Sequence, residues 1–345
     1  MKRKQSGDGH EPPRSKIRTE RTPKEQKIMW AASSPLNDDK PTSLEKLLHI
    51  AWKSKGIPSG NGSINWMKLW LLVPTLTELK NMVGMEELKT GVIDFVVCAL
   101  QGLTIGIEKL HTILSGPPGS GKTEVARILA KIYHRLGFVA TDKFMIVRRD
   151  DLTGFGSEKE LSAQLDQAKG GVLFIDGSKS VSGIEKGIDS FVSVMDLLNR
   201  RVSLSAKNIP ENPVCIVSGN EGEMEKYLFF VQSGVKSIFS WHFSISKYTP
   251  KQMVSIFEIK AKREGWVVDK DALREGLFIK NHDLFQAYGR DISSLFDMCL
   301  IAHSSRLFGN RTPSKIITKE DCHDGLEKYK RMKRKDVTNI QTYFG

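Results

Sequence analysis

The chain has little of what marks secreted, disulfide-stabilised or membrane proteins. Its 345 residues include only four cysteines, scattered and without a Cys-x-x-Cys pair, which suits a reducing compartment. The apolar cluster from Trp66 to Val73 is interrupted by Lys68 and is too short to span a bilayer. No N-terminal segment has the apolar core of a secretion signal. These absences predict an intracellular protein that is not secreted and has no membrane partner.

Other signatures are also missing. The sequence has no internal repeat and no helix-turn-helix or zinc-finger pattern, which argues against a sequence-specific DNA-binding protein. Hydrophobic residues make up 39% and charged residues 27%, close to the globular average, which excludes wholesale disorder and collagen. A chain of this length forms one to three domains and buries a core without metal or disulfide support.

Positive charge is abundant but unevenly spread. The formal net charge is +12, of which residues 1–28 carry +5 and residues 326–345 carry +4, so the 297 residues between them carry only +3. Residues 1–40 are rich in Lys, Arg, Pro, Ser and Gly, which predicts a disordered basic arm. This arm suits a nuclear-import signal, a tether for non-specific nucleic-acid binding, or a solvated tail with neither role.

Strand and helix patterns alternate along the central part of the chain. Buried-strand patterns fall at His111–Ser115, Phe144–Val147, Val172–Asp176, Val214–Ser218 and Trp241–Ile245, with helical patterns at Glu124–Leu136, Glu158–Lys169 and Ile188–Arg200. Such alternation predicts an α/β fold, a parallel sheet with helices on both faces. After Pro250 only helical patterns continue, at 250–263, 270–280, 290–307 and 318–334, which predicts a small all-α lid domain.

A glycine-rich loop between the first strand and its helix matches the P-loop pattern G-x-x-x-x-G-K-[ST]. Its residues are Gly116, Pro117, Pro118, Gly119, Ser120, Gly121, Lys122 and Thr123. Glycines let backbone N–H groups curl around phosphate oxygens, and the following helix N-terminus favours negative charge. Lys122 is expected to reach the outer phosphates of ATP, and the Thr123 hydroxyl to bind Mg²⁺.

An acidic residue stands at the tip of the third predicted strand. Asp176 ends the apolar run Val172–Ile175, some fifty residues after the P-loop. P-loop proteins place there the carboxylate that holds Mg²⁺. Asp176 is therefore the predicted second Mg²⁺ residue.

These motifs occur together with several others in a characteristic order. They are the string Leu110–Leu129, Arg149-Asp150-Asp151-Leu152, Gly170–Asp176, Gly234–Phe239, Phe239–Phe243 and Tyr288–Phe296. Over residues 80 to 335 the chain resembles AAA+ ATPases of the CbxX/CfxQ type, the group that includes red-type Rubisco activases. The residues of these motifs are most similar to those of the divergent members in large DNA viruses.

The resemblance implies a ring, homo- or hetero-oligomeric and usually hexameric, with ATP between neighbouring subunits. It implies that Asn220 orients the attacking water as a sensor, the alternative being a plain turn residue. It implies that Arg290 is a lid arginine on the γ-phosphate, the alternative being a surface arginine. It places Phe155 near an aromatic pore loop that grips a polypeptide, the alternative being a buried anchor of its loop.

Two positions depart from the family pattern. The family has a catalytic Glu directly after the strand Asp, where this chain has Gly177; the next acid, Glu185, is too distant to replace it. An arginine finger is expected where Ile238 stands, with Lys236 two residues earlier. Because a trans arginine contributes roughly 10³–10⁵ in rate in other P-loop enzymes, these changes predict ATP binding with impaired hydrolysis.

The C-terminal tail carries a second motif. Val337, Ile340, Tyr343 and Phe344 follow a basic run and resemble the box that binds DNA sliding clamps, with Val337 where the box has Gln. Paired exposed aromatics usually dock on a surface. The tail is expected to be extended and to bind a clamp, or else to dock on the protein's own body or on a neighbouring subunit.

The predicted organisation joins these features. It comprises a basic arm (1–40), a helical extension (41–78), an α/β nucleotide-binding domain (79–248), a helical lid (249–325) and a basic tail (326–345). The predicted function is nucleotide-driven remodelling of a macromolecular partner. The alternative is a hydrolysis-deficient scaffold in DNA replication or nucleic-acid metabolism, tethered by its tails. For a viral chain the expected location is the host nucleus or cytoplasm.

Overall fold

The computed structural model describes residues 40–56, 64–102, 110–148, 158–177, 197, 213–220, 222, 239–309 and 314–344, with residues 158–161, 164 and 335–344 described by their backbone alone. The N-terminal part contains α1 (Leu44–Lys53), α2 (Trp66–Leu71), α3 (Val73–Lys80) and α4 (Glu86–Leu100). The central part contains β1 (His111–Ser115), α5 (Lys122–Leu136), β2 (Phe144–Arg148), α6 (Glu158–Gln167), β3 (Val172–Asp176), β4 (Val214–Gly219) and β5 (Phe239–Ser244). The C-terminal part contains α7 (Pro250–Arg263), β6 (Val267–Val268), α8 (Glu275–Lys280), α9 (Tyr288–Arg306), β7 (Ile316–Ile317) and α10 (Lys319–Phe344).

The central strands form the parallel sheet that their pattern predicts. Their order is β2-β3-β4-β1-β5, and all four pairings are parallel. Every residue of β4 is buried, as expected for a strand covered on both faces. Strands β3, β4 and β1 are adjacent and parallel, so their carboxyl ends lie at the same edge of the sheet. That edge carries the candidate site.

The N-terminal helices pack against the same α/β body. Ser43 caps α1 by accepting a hydrogen bond from the Lys46 amide, and the predicted apolar face, Leu44, Leu47, Leu48 and Ala51, is buried. Helix α1 contacts α3, and α3 in turn contacts α5, the helix that follows the P-loop. The apolar cluster at Trp66–Val73 forms α2 and the start of α3, with Trp66, Leu69, Leu72 and Val73 buried.

The lid is mostly helical and is held together by a buried polar network. Helix α7 begins with a capping box of Thr249 and Gln252. Between α9 and α10, Asp321 accepts hydrogen bonds from Arg306 and from His303 Nδ1 at 2.7–3.0 Å. The sequence patterns did not predict the short parallel pairing of β6 with β7, whose strands have two residues each.

The C-terminal segment differs from its predicted extended form. The sequence pattern ends the last helix near residue 334, but the backbone of α10 stays helical through Phe344. No Gly or Pro occurs between Leu326 and Phe344, so no residue there breaks the helix. The clamp-box residues Val337, Ile340, Tyr343 and Phe344 therefore lie on a helical backbone. None of the described helices combines the length and the apolar character that a membrane crossing requires.

Candidate nucleotide-binding site

The P-loop connects β1 to α5 through glycines in conformations that other residues rarely adopt. Gly119 and Gly121 have φ of 68° and 94°, in the left-handed region that favours glycine. No side chain caps the N-terminus of α5, and the first N–H groups of a helix have no partner within it. The loop therefore presents backbone donors where phosphate oxygens bind in P-loop proteins.

Lys122 folds back over this loop. Its side chain is buried, and Nζ donates hydrogen bonds of 2.8 Å to the carbonyl oxygens of Gly116 and Pro117. The ammonium group is thus held at the centre of the loop by backbone acceptors. This geometry agrees with the predicted role of Lys122 on the outer phosphates of a nucleotide.

Asp176 lies at the same edge of the sheet as the P-loop. It ends β3 level with Ser218 of β4, whose hydroxyl donates a 3.4 Å hydrogen bond to Asp176 Oδ1. The Gly116 amide donates to the Gly219 carbonyl of β4 at 3.1 Å, so β4 connects the acid to the loop. Thr123, the second residue of α5, is half-buried. A carboxylate and a hydroxyl are the oxygen ligands that Mg²⁺ prefers, so this pair fits the ion.

Two buried polar atoms near this edge have no hydrogen-bond partner among the described residues. They are Asn220 Oδ1, directly after β4, and Ser120 Oγ in the P-loop. A buried polar group without a partner costs about 1–3 kcal/mol, so native proteins seldom leave one unless a ligand or water binds it. The P-loop and the end of β4 therefore fit a phosphate group and an oriented water.

Gly177, which the family resemblance aligns with the catalytic Glu, is tightly enclosed. The residue is buried, its amide donates to the Ser218 carbonyl at 2.9 Å, and a Cβ atom there would stand 2.5 Å from the same oxygen. A side chain at this position requires the backbone to move. Ile238, Lys236 and Phe155, which sequence analysis also singled out, lie outside the described residues.

Gly289 of the lid and Tyr248, the residue just before the lid, contact two consecutive carbonyl groups of the P-loop. The Gly289 amide donates to the Gly119 carbonyl at 3.1 Å, and the Tyr248 hydroxyl donates to the Ser120 carbonyl at 2.8 Å. Burial raises the pKa of Tyr248 to about 12, which keeps the hydroxyl protonated as a donor. Arg290 follows Gly289 directly, and its side chain is exposed.

A cavity of about 400 Å³ opens between the P-loop, the lid and the segment before α4. Its lining includes Asn81, Met82, Val83, Gly119, Ser120, Gly121, Tyr248, Ile256, Ile259 and Gly289. The charged side chains Glu124, Lys260, Arg263 and Glu264 also line it. The size and the mixed polar and apolar lining suit a small ligand, and the position next to the phosphate loop suits a nucleobase. No sequence motif predicts this part of the site. The only local signals were the glycine turn at Gly84 and the Tyr248 that follows β5.

Comparison with known proteins agrees with this geometry. Residues 112–227 match the AAA family, the ATPases associated with various cellular activities. The chain is 31% identical to a cfxQ-like protein of Acanthamoeba polyphaga mimivirus, over 79% of this chain and 68% of that protein. It is 27% identical to the chloroplastic ribulose bisphosphate carboxylase/oxygenase activase of Cyanidioschyzon merolae, over 70% of this chain and 85% of that protein.

Two further comparisons bear on the length and the fold. The ESX-3 secretion system protein EccA3 of Mycobacterium tuberculosis is 31% identical over 62% of this chain, which spans only 35% of EccA3. A mutant RuvB of Thermotoga maritima is similar in fold, with a TM-score of 0.51 at 18% identity, over 72% of this chain and 71% of that one. The predicted P-loop α/β fold with a mostly helical C-terminal region is confirmed. The chain therefore belongs to the AAA ATPases, in the CbxX/CfxQ group with the divergent relatives found in large DNA viruses.

Proposed function

We propose that the protein binds ATP with Mg²⁺ at the edge formed by β1, β3 and β4. The observation that carries this proposal is the P-loop with Lys122 buried at its centre. In this assignment the backbone amides of residues 116–123 bind the phosphates, and Thr123 and Asp176 hold the metal. Bound Mg²⁺ would neutralise charge on the phosphate oxygens. Met82, Val83 and the apolar face of α7 would enclose the base.

We further propose that hydrolysis is impaired. A general base at residue 177 would have to polarise water beside the γ-phosphate, and glycine has no group to do this. The close approach of the Ser218 carbonyl supports the view that this backbone accommodates glycine rather than a lost Glu. Ile238 in place of the arginine finger would remove a second contribution to the rate of hydrolysis, the positive charge that stabilises the transition state. Lys236 would act as a weaker point charge, since it lacks the bidentate geometry of Arg.

In the proposed function, nucleotide binding drives the remodelling of a macromolecular partner by a ring. Membership in the AAA family supports an oligomeric ring, of one chain or of this chain with a paralogue. The name of the algal relative, an activase, supports action on another macromolecule. In this ring Asn220 would orient water, Arg290 would contact the γ-phosphate across the lid, and Phe155 would contact the partner in the pore.

The second candidate function is a nucleotide-binding scaffold in DNA replication or nucleic-acid metabolism. The observation that favours it is the enclosed Gly177, because a scaffold needs nucleotide binding but no turnover. Its attachment points would be the basic arm at residues 1–40, for nucleic acid, and Val337, Ile340, Tyr343 and Phe344, for a sliding clamp. We propose the same domain limits that the sequence patterns predict, with the basic tail beginning at residue 326.

The two functions are tested by assembly and pull-down experiments on the full chain. Mass photometry with and without MgATP would show a ring that forms with nucleotide and fails with Lys122→Ala, if the remodelling proposal holds. A protein that stays monomeric with saturating MgATP would contradict it. Binding of the full chain to a purified clamp, lost when Tyr343 and Phe344 are both changed to Ala, would instead support the scaffold.

A further inference from the structure

We infer that Asp291 and Lys333 are positioning residues for the lid arginine, and that they connect the C-terminal helix α10 to the nucleotide site. The inference rests on the proposed nucleotide binding and on the proposed contact of Arg290 with the γ-phosphate. It adds a route by which the position of α10 affects the affinity for ATP. The route runs through three polar contacts between Lys333 and the P-loop.

The first contact fixes the start of α9. Asp291 is 3% exposed, and its Oδ2 accepts a 2.6 Å hydrogen bond from the Ala287 amide, the N-terminal flank of the helix. The carboxylate thus closes the turn that contains Arg290. Tyr288 in this turn has a φ of 34°, unusual for a residue with a side chain. The turn therefore needs contacts of this kind to hold its shape.

The second contact ties this carboxylate to α10. Lys333 Nζ donates a 2.8 Å hydrogen bond to Asp291 Oδ1 and lies 5.6 Å from the centre of the Tyr329 ring. Tyr329 is buried, stacks on Phe285 at 5.6 Å, and its hydroxyl donates to the Leu284 carbonyl. Lys333 and Tyr329 thus hold the turn before Arg290 from the side of α10.

The third contact joins the turn to the P-loop. The Gly289 amide donates to the Gly119 carbonyl, and the space around Gly119 is so limited that a Cβ atom would stand 1.9 Å from the Ala287 carbonyl oxygen. Since the backbones are in direct contact, a shift of the turn shifts the lid arginine relative to the phosphate loop. The Asp291–Lys333 pair therefore controls the position of Arg290 relative to the P-loop, on which its contact with the γ-phosphate depends.

The pair has the properties of a coupling element rather than of a surface ion pair. A carboxylate this deeply buried is costly unless it is paired and hydrogen-bonded. Lys333 lies on α10, which continues past the predicted end of the lid at residue 325 to Phe344. A partner that bends or pulls this helix would act on Asp291, and by linkage ATP would act on the helix with equal free energy.

The test compares ATP and ADP affinity in two lysine variants of α10. Lys333→Met removes the contact with Asp291. Lys330→Met removes a similarly exposed lysine whose ion pair among the described residues stays within the helix, with Glu327 at 2.8 Å. Affinities for MgATP and MgADP are measured by calorimetry on the full chain, beside thermal unfolding without nucleotide. Lys333→Arg and Asp291→Asn, which keeps an acceptor for the Ala287 amide, serve as milder variants that retain the fold.

Lys333→Met and Asp291→Asn are expected to lose ATP affinity by about fivefold or more, with ADP affinity changed less than twofold. Lys333→Arg should restore ATP affinity, and Lys330→Met should match the wild type. Arg290→Ala should lose the same preference for ATP over ADP. Adding Lys333→Met to Arg290→Ala should lower the ATP affinity no further. Equal losses for ATP and ADP, or unchanged ATP affinity, would overturn the positioning role. A wild-type chain that binds neither nucleotide would overturn the proposed function as well.

Discussion

The amide of Gly177 donates a 2.9 Å hydrogen bond to the carbonyl oxygen of Ser218, and a Cβ atom on residue 177 would lie only 2.5 Å from that oxygen. Gly177 directly follows β3, and Ser218 lies on the neighbouring strand β4, level with Asp176. Because real Cβ atoms essentially never approach an oxygen so closely, the backbone here is specific for glycine. The sheet edge therefore disfavours any side chain at the position where the family resemblance places a Glu.

The first prediction concerns this position. Gly177→Glu will not raise ATP turnover, because the strand ends must separate to admit the side chain. Both Gly177→Glu and Gly177→Ala will lower the free energy of unfolding by about 1–3 kcal/mol, the usual cost of overpacking. Gly276→Ala in α8, where a Cβ meets nothing within 4 Å, is the control and should not destabilise, because Ala favours a helix over Gly. Steady-state ATPase assays and urea unfolding measure both effects; a Gly177→Glu chain with restored turnover would refute the argument.

The second prediction concerns the Tyr248 hydroxyl that contacts the P-loop. Tyr248→Phe removes the donor to the Ser120 carbonyl and should weaken MgATP binding about threefold to tenfold, since a hydrogen bond contributes about 1 kcal/mol. Tyr133→Phe is the matched control, because its buried hydroxyl bonds to Thr112 Oγ1 at 2.6 Å, away from the loop. It should lower stability without changing the Kd. Equal effects of both variants on the Kd would contradict a specific role for Tyr248.

Local sequence patterns predicted the parts of the fold and site that depend on neighbouring residues. Short-range patterns predict the strand before Gly116, the P-loop and the acid at Asp176: an apolar run, a glycine-rich motif and an acid that ends a strand. Each lies at its predicted place in the chain. The cavity wall at Met82 and the Tyr248 contact could not be predicted, because they join segments more than a hundred residues apart. The helical end of α10 differs from the predicted extended tail, because the resemblance to a clamp-binding box favoured an extended segment over continuation of the helix.

The third prediction concerns acid stability through the lid. Burial alone would raise the pKa of Asp321, but hydrogen bonds from Arg306, the Thr318 amide and His303 hold it well below its usual range. The native carboxylate therefore stabilises the fold fully above about pH 4, and this contribution declines as the pH falls further. Asp321→Asn should cost about 3 kcal/mol at pH 7, and the difference from wild type should narrow below pH 4. Unfolding by urea at several pH values measures it, with exposed Asp324→Asn as control.

The fourth prediction concerns a histidine in the sheet. His111 accepts a 2.9 Å hydrogen bond from the Cys215 amide, and burial lowers its pKa to about 4. Because the unfolded chain protonates this residue near pH 6.5 and the native chain does not, stability should fall as the pH drops from about 6.5 to 4. The full loss is about 3 kcal/mol. His111→Asn keeps an acceptor and should flatten this slope, whereas exposed His323→Asn should leave it unchanged; an unaltered slope in His111→Asn would count against the assignment.

The most direct measurement is nucleotide binding and steady-state turnover on one preparation of the wild-type chain, with Lys122→Ala beside it. We expect the wild type to bind MgATP and Lys122→Ala to lose this binding, because the buried ammonium is removed from the loop. We also expect wild-type turnover far below the roughly 1–10³ per second that is typical of enzymes. Turnover of several per second that Lys122→Ala abolishes would contradict an ATP-binding site with impaired hydrolysis.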